Sequence, residues 1–437
     1  MSTSALPATF TTSRAEAFRA NPVARIVQNA VSAQGADEVS LDRDIINRLD
    51  ASTSERLDTW AVTSQKKSGR CWNFSGLNVL RAKMINELGL EDFAFSQNFV
   101  AFHDKLEKAN HTLAKAIETA DLPLQDEKVR RILDNAGDDG GYWFQFVDLV
   151  TKYGLVPEWA MPDTESAGNT DQMNRALSAV LRKAVGRIRN AVPEDRDAIR
   201  TATLEDVWRI FAIHLGTPPS SFTWQYRDKE KNFHAEGVVT PLEFAQRYLP
   251  EDFADYVVLA HDPRDEHPVG EAYVVENLPF MEGGSPYVHI SVSLDEMKGA
   301  TIASIRDGEP VWFACDVAKQ FAKKEGIWSA HLHDYDSLYG VDYSMSKADR
   351  MRMRDTNATH IMVFVGVDLD EDGNAKRWRV ENSWGDEVGK KGFFTMDDDW
   401  FDEYVFQVAV SPTRLSPGVI DALDREWIVL PEWDALM

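Results

Sequence analysis

Gln65-Lys-Lys-Ser-Gly-Arg-Cys71-Trp-Asn-Phe-Ser75 is the stretch from which the fold can be read. Beyond it, Phe74, Leu77, Leu80 and Met84 recur at three- and four-residue steps. That spacing predicts a helix that opens at Cys71 and carries one apolar face. Gly69 just before it and Gly89 just after it supply a start loop and a stop. A helix N-terminus is a partial positive charge, so a thiol placed there gives up its proton more readily. Gln65 brings a side-chain amide into the same loop.

Two later segments carry matching parts. Asn357-Ala-Thr-His360 leads directly into the apolar run Ile361-Met-Val-Phe-Val-Gly-Val367, a short strand. Arg377-Trp-Arg-Val-Glu-Asn382 alternates, which puts Trp378, Val380 and Asn382 on a core face and Arg377, Arg379 and Glu381 on the other. In a thiol-based acyl transfer, Cys71 is the nucleophile and His360 takes its proton, then returns it to the leaving amine. Asn382 holds the imidazole in orientation. Gln65 and the Cys71 backbone N–H face the oxyanion. Trp384, two residues past Asn382, shields the Asn–His hydrogen bond from water. A lone cysteine at a helix start is more often structural, and a lone histidine before a strand is more often a cap. Four matched parts in this order favour the catalytic reading.

The rest of the chain fits an α+β enzyme with a helical and a β subdomain flanking a cleft. Residues 1–60 read as an arm, 61–150 as the helical subdomain with the nucleophile, and 151–255 as a mostly helical insertion. Residues 256–420 read as the β subdomain with His360 and Asn382, and 421–437 as a tail. A second helix starts near Ser96, with Phe99, Phe102, Leu106, Ala109, Leu113 and Ile117 as its stripe. A third spans Asp171 to Asn190. Strands are expected only after about residue 255, as in Tyr256–Ala260 and Val311–Cys315.

The 437 residues are 43% hydrophobic and 27% charged, a globular composition. With only Cys71 and Cys315, no disulfide framework is expected, and a reducing, cytoplasmic compartment is the natural reading. No secretory leader and no membrane span is legible. A net charge of −24 argues against nucleic acid. Asp368-Leu-Asp-Glu-Asp372-Gly373 imitates a calcium loop but has Arg379 where a bidentate glutamate is required, so a hairpin turn is expected there. His331-Leu-His333 lacks further metal ligands. No cofactor or metal is expected. Cys315, among bulky apolar residues, reads as a core thiol.

At these residues the chain resembles the bleomycin hydrolase/aminopeptidase C family of papain-like cysteine peptidases. The resemblance extends through Gly140-Gly141 with Lys152–Pro157, Ser221–Trp224, Asn277–Gly284, Cys315–Val317 and Glu381–Asp386 with Gly389–Gly392. It implies a papain-like fold with a large helical insertion, since His360 lies far beyond the roughly 130–150 residues that separate Cys and His in papain-like chains. It also implies a cytosolic homohexamer that trims N-terminal residues from peptides. In such an enzyme the chain end lies in the cleft, where its carboxylate holds the substrate's α-ammonium; here that end is Met437. The family's usual tail continues a few residues past Trp-Asp, whereas this chain reads Trp433-Asp434-Ala-Leu-Met437. A shorter tail makes an endopeptidase the alternative, and a nucleic-acid-binding shell a more distant one. Asn73 is more polar than the apolar residue usual two places after the nucleophile and is expected beside the substrate pocket.

Overall fold

The helix expected at the nucleophile runs from Cys71 to Leu88 and stops at Gly89, whose φ of 60° is left-handed. A computed structural model describes residues 5–57, 60–276 and 280–436. The Cys71 helix is buried on nearly every side: Phe74, Leu77, Leu80 and Met84 are covered, and so are Asn73, Ser75, Asn78 and Arg81. It is a central helix rather than an amphipathic surface one.

Gln97–Glu118 packs on it, capped by Ser96, whose side chain accepts from the Phe99 N–H. The apolar stripe faces the core as expected, yet Asp104, Lys105 and Lys108 on this helix are buried too. Trp143–Tyr153 packs on both of these helices and completes the layer. Asp171–Asn190 and Pro193–Leu215 pack on each other and on Gln97–Glu118. Strands appear earlier than expected: Phe222–Arg227 pairs with Phe233–Val239 as a separate two-stranded hairpin inside the region read as helical.

Among the described residues, the main sheet centres on His360–Leu369. This strand pairs antiparallel with Val311–Cys315 on one side and Ala375–Glu381 on the other. Outward from Val311–Cys315 come Val405–Val410, Val257–Ala260, Val288–Ser291, Ala272–Val275 and finally Ile428–Leu430. Outward from Ala375–Glu381 comes Phe393–Asp397. The central strands are continuous apolar runs because both their faces are covered. Trp312, Ala314, Ile361, Val363 and Val365 join the helical core. Val311, Phe313, Cys315, Met362 and Phe364 join a second core, which helices Leu294–Arg306 and Asp398–Tyr404 cover.

The turn at 370–373 is the expected hairpin, with Gly373 at φ 87° and its N–H on the Asp370 carbonyl. One face of the next strand differs from expectation. Arg379 and Glu381, read as the outward side, are buried. Arg81 of the Cys71 helix pairs with Glu381 at 2.5 Å while the Trp60 indole donates to the same carboxylate at 2.7 Å, and the Arg379 guanidinium lies 4.0 Å from the centre of the Phe393 ring. No helix among the described residues is long and apolar enough to cross a membrane.

Candidate active site

Cys71 is the first residue of its helix, so its thiol sits at the positive end of eighteen aligned peptide units. Trp312 and Ser75 fix the helix against the sheet. The Trp312 indole donates to the Trp72 carbonyl at 3.3 Å, and the Ser75 hydroxyl donates to the Ile361 carbonyl at 3.1 Å. The Ile361 N–H points at the Cys71 sulfur, which brings the cysteine to the start of the His360 strand. Burial pushes the thiol up to about 11; the N–H groups of Ile361, Trp72 and Cys71 oppose that rise.

His360 opens its strand with its ring buried against Trp384, the ring centres 5.1 Å apart and nearly parallel. Its Nε2 lies 2.9 Å from Asn382 Oδ1. The Ser383 N–H donates to that same oxygen at 2.8 Å, so the oxygen is the acceptor and Nε2 carries the proton. Nδ1 then holds the basic lone pair. Burial pulls the imidazole down to about 4, against the raising effect of Asn382.

Gln65 is buried in the adjoining loop. Its Oε1 accepts from the Ser383 hydroxyl at 2.6 Å, its Nε2 donates to the Ser68 carbonyl at 2.5 Å, and its backbone N–H donates to the Ser383 carbonyl at 2.8 Å. One Nε2–H remains for an incoming oxyanion. Ser383 went unnoticed in the sequence, although it joins Asn382 to Gln65 and so fixes the two arms of the site relative to each other.

Asn73 does not stand at a pocket. It is fully buried and donates to the Gln97 carbonyl at 2.9 Å, tying two core helices. Trp384 lies over His360, with the Lys323 ammonium 5.3 Å from its ring centre. Met437 lies outside the described residues; the chain leading to it is held at several points. Ile428–Leu430 pairs in parallel with Ala272–Val275. Arg131, on the helical side, holds the Glu432 carboxylate at 2.9 Å, and Arg264, on the sheet side, holds Asp434 at 2.6 Å. Leu436 is buried against Ala260, Met351 and Phe406, with Ala358 beside them, two residues from His360. The tail thus crosses between the halves that contribute Cys71 and His360.

Asp262, His267 and Asp434 lie close enough together to hold a cation. Arg264 already occupies that centre, bonding Asp262 at 2.7 Å as well as Asp434, so the cluster reads as a clamp on the tail. His333 bonds Ser40 at 3.0 Å and the Gln320 side chain through its backbone, a structural role. Cys315 is buried opposite His360 on the neighbouring strand.

The sequence model of the Peptidase C1-like family matches residues 6–437. Aminopeptidase G of Lactobacillus delbrueckii subsp. lactis is 40% identical over 423 residues, 96% of each chain. Human bleomycin hydrolase is 39% identical over 387 residues, covering 86% of this chain and 85% of its own. The crystal structure of PepW from Lactobacillus rhamnosis superimposes with a TM-score of 0.95 at 34% identity, covering 99% of both chains.

Proposed function

Since the chain belongs to the Peptidase C1-like family and is a cysteine peptidase, we propose that it removes N-terminal residues from peptides through Cys71, His360, Asn382 and Gln65. The observation that carries this reading is the His360–Asn382 bond at 2.9 Å, which leaves Nδ1 free to act as a base, at the start of the strand whose Ile361 carbonyl is bonded by Ser75 of the Cys71 helix. Cys71 passes its proton to Nδ1 and attacks the scissile carbonyl. The oxyanion meets the Cys71 N–H and the second Nε2–H of Gln65. The imidazolium then protonates the leaving amine, and water, activated by the same Nδ1, hydrolyses the thioester.

The preference for free N-termini follows from the tail. A tail segment held by Arg131 and Arg264 would leave room for one end of a peptide, and a carboxylate at Met437 would attract its α-ammonium. Relatives named aminopeptidase and bleomycin hydrolase over nearly the full length agree with this reading. The proposal extends to a cytoplasmic homohexamer. Helices Phe10–Ala20 and Pro22–Gln34 bury no residue of their own in the single chain, and short helices gain most of their stability from packing.

The test compares one fluorogenic peptide with a free and an acetylated N-terminus, with Cys71→Ala as control. The acetylated form is expected to react at least ~10-fold more slowly, the equivalent of about 1.4 kcal/mol of lost charge contact. Comparable rates would make the enzyme an endopeptidase, and an active Cys71→Ala would overturn the mechanism.

A further inference from the structure

We propose that Asp139 is a positioning residue for the nucleophile, holding the chain on both sides of Cys71. This rests on the reading of Cys71 as the nucleophile. Upstream, the Gly69 N–H donates to Asp139 Oδ2 at 3.1 Å. Downstream, the Trp72 indole donates to the Asp139 carbonyl at 2.8 Å. One residue of a distant loop therefore grips the segment two positions before the cysteine and one position after it.

The contact is close enough to dictate the residues that make it. A Cβ on Gly69 would stand 2.7 Å from the Asp139 Cβ, and one on Gly141 would stand 2.5 Å from the Trp72 ring. Both loops approach backbone to side chain, and only glycine leaves the space. Both cysteines are free, so no disulfide joins these loops. A carboxylate does the joining instead.

Asp139 is itself built in from behind. Its carboxylate accepts from the Thr170 hydroxyl, from Asn174 Nδ2 at 2.9 Å and from the Lys105 ammonium. Lys105 is 2% exposed and donates as well to the carbonyls of Gly137 at 3.0 Å and Asp138 at 2.9 Å. Burial alone would raise the Asp139 carboxyl; Lys105, Thr170 and Asn174 outweigh it and hold the group well below the usual carboxylate range. The bond to Gly69 is thus charge-assisted at any pH where the enzyme works. Small displacements of a reacting group cost large factors in rate while substrate affinity is kept. The signature of lost positioning is therefore a fall in kcat at constant KM.

Two independent perturbations test this. Gly69→Ala sets a methyl group against the Asp139 Cβ and so forces the two loops apart, with no change to the charged groups. It is expected to lower kcat ~10- to 100-fold with KM within about twofold, and to slow carbamidomethylation of Cys71 by iodoacetamide at each pH across its profile. The second compares Asp139→Asn with Asp139→Ala, both in a Lys105→Met background so that no buried charge is left alone. Asparagine keeps an acceptor for Gly69 and is expected to retain most of kcat; alanine is expected to lose it, at similar thermal midpoints. Full kcat and an unchanged alkylation profile in Gly69→Ala would overturn the proposal, as would equal kcat in the two double variants. If those results came with an inactive Cys71→Ala, the peptidase reading would stand and only the role of Asp139 would fall.

Discussion

Ser383 shows how much of a site can rest on a residue that carries no chemical signature. Its N–H fixes the Asn382 oxygen, and its hydroxyl and carbonyl fix Gln65. Ser383→Ala leaves the His360–Asn382 bond in place and frees only the Gln65 side chain. It is therefore expected to lower kcat about 10-fold, less than the 10²–10³ lost with an oxyanion donor itself, with little change in KM. Steady-state kinetics on a peptide with a free N-terminus reads this directly; an unchanged kcat would remove Gln65 from the oxyanion site. The positions of Cys71 at a helix start and of His360 and Asn382 at strand ends were legible because each is an element boundary. Ser383 was not, because a serine between asparagine and tryptophan looks like any turn residue. Asn73 was misread for a geometric reason. Successive helical residues turn by about 100°, so a side chain two places on points away from the cysteine and into the core.

At the scale of elements, the apolar stripe placed the helices at 97–118 and 171–190 correctly, but a stripe says nothing about what covers the opposite face. Asp104, Lys105 and Lys108 are buried because further elements pack over them, and each is neutralised by a partner. The strand at 375–381 follows the same logic. On its polar side, Arg81 of the Cys71 helix and Glu381 form the ionic joint between helix and sheet, both under 3% exposed. Breaking one half of a buried pair costs roughly 3–5 kcal/mol. Glu381→Leu is expected to lower unfolding stability by that order in urea titration, and adding Arg81→Met is expected to recover at least half. A single variant as stable as the parent would show that the joint does not hold the halves together. The hairpin at 222–239 escaped notice because it stands apart from the main sheet, with several of its apolar residues, Phe233 and Val238 among them, exposed.

Over the whole molecule, a helical first half and a β second half were visible in the shift from three- and four-residue spacing to apolar runs. The order of the strands was not, since that depends on long-range pairings that leave no local mark. Burial also gives the molecule a pH response. His289 and His360 are both pulled down to about 4 from an ordinary 6.5. Below 6.5 the unfolded chain takes up protons that these folded residues refuse. The stability they contribute is therefore complete above 6.5 and lost as pH falls toward 4, roughly 3 kcal/mol per group. Asp104, raised to about 6 by burial, works in the opposite direction, so the effect is best read as a difference. His289→Phe keeps a ring stacked on Tyr273 and is expected to flatten the fall in unfolding free energy between pH 6.5 and 5; an equal slope in both proteins would refute this. The doubly clamped tail has a kinetic consequence. Its last strand anchors it at Leu430, only six residues before Leu436. Freed from Arg131 and Arg264, those residues form a leash of root-mean-square length about 13 Å. A leash that short keeps Leu436 at millimolar effective concentration near the apolar cluster of Ala260, Met351 and Phe406 that buries it. Loosening the clamps would therefore turn a fixed segment into one that leaves its seat and returns from a short tether, so the cluster would refill faster than any separate molecule could enter it.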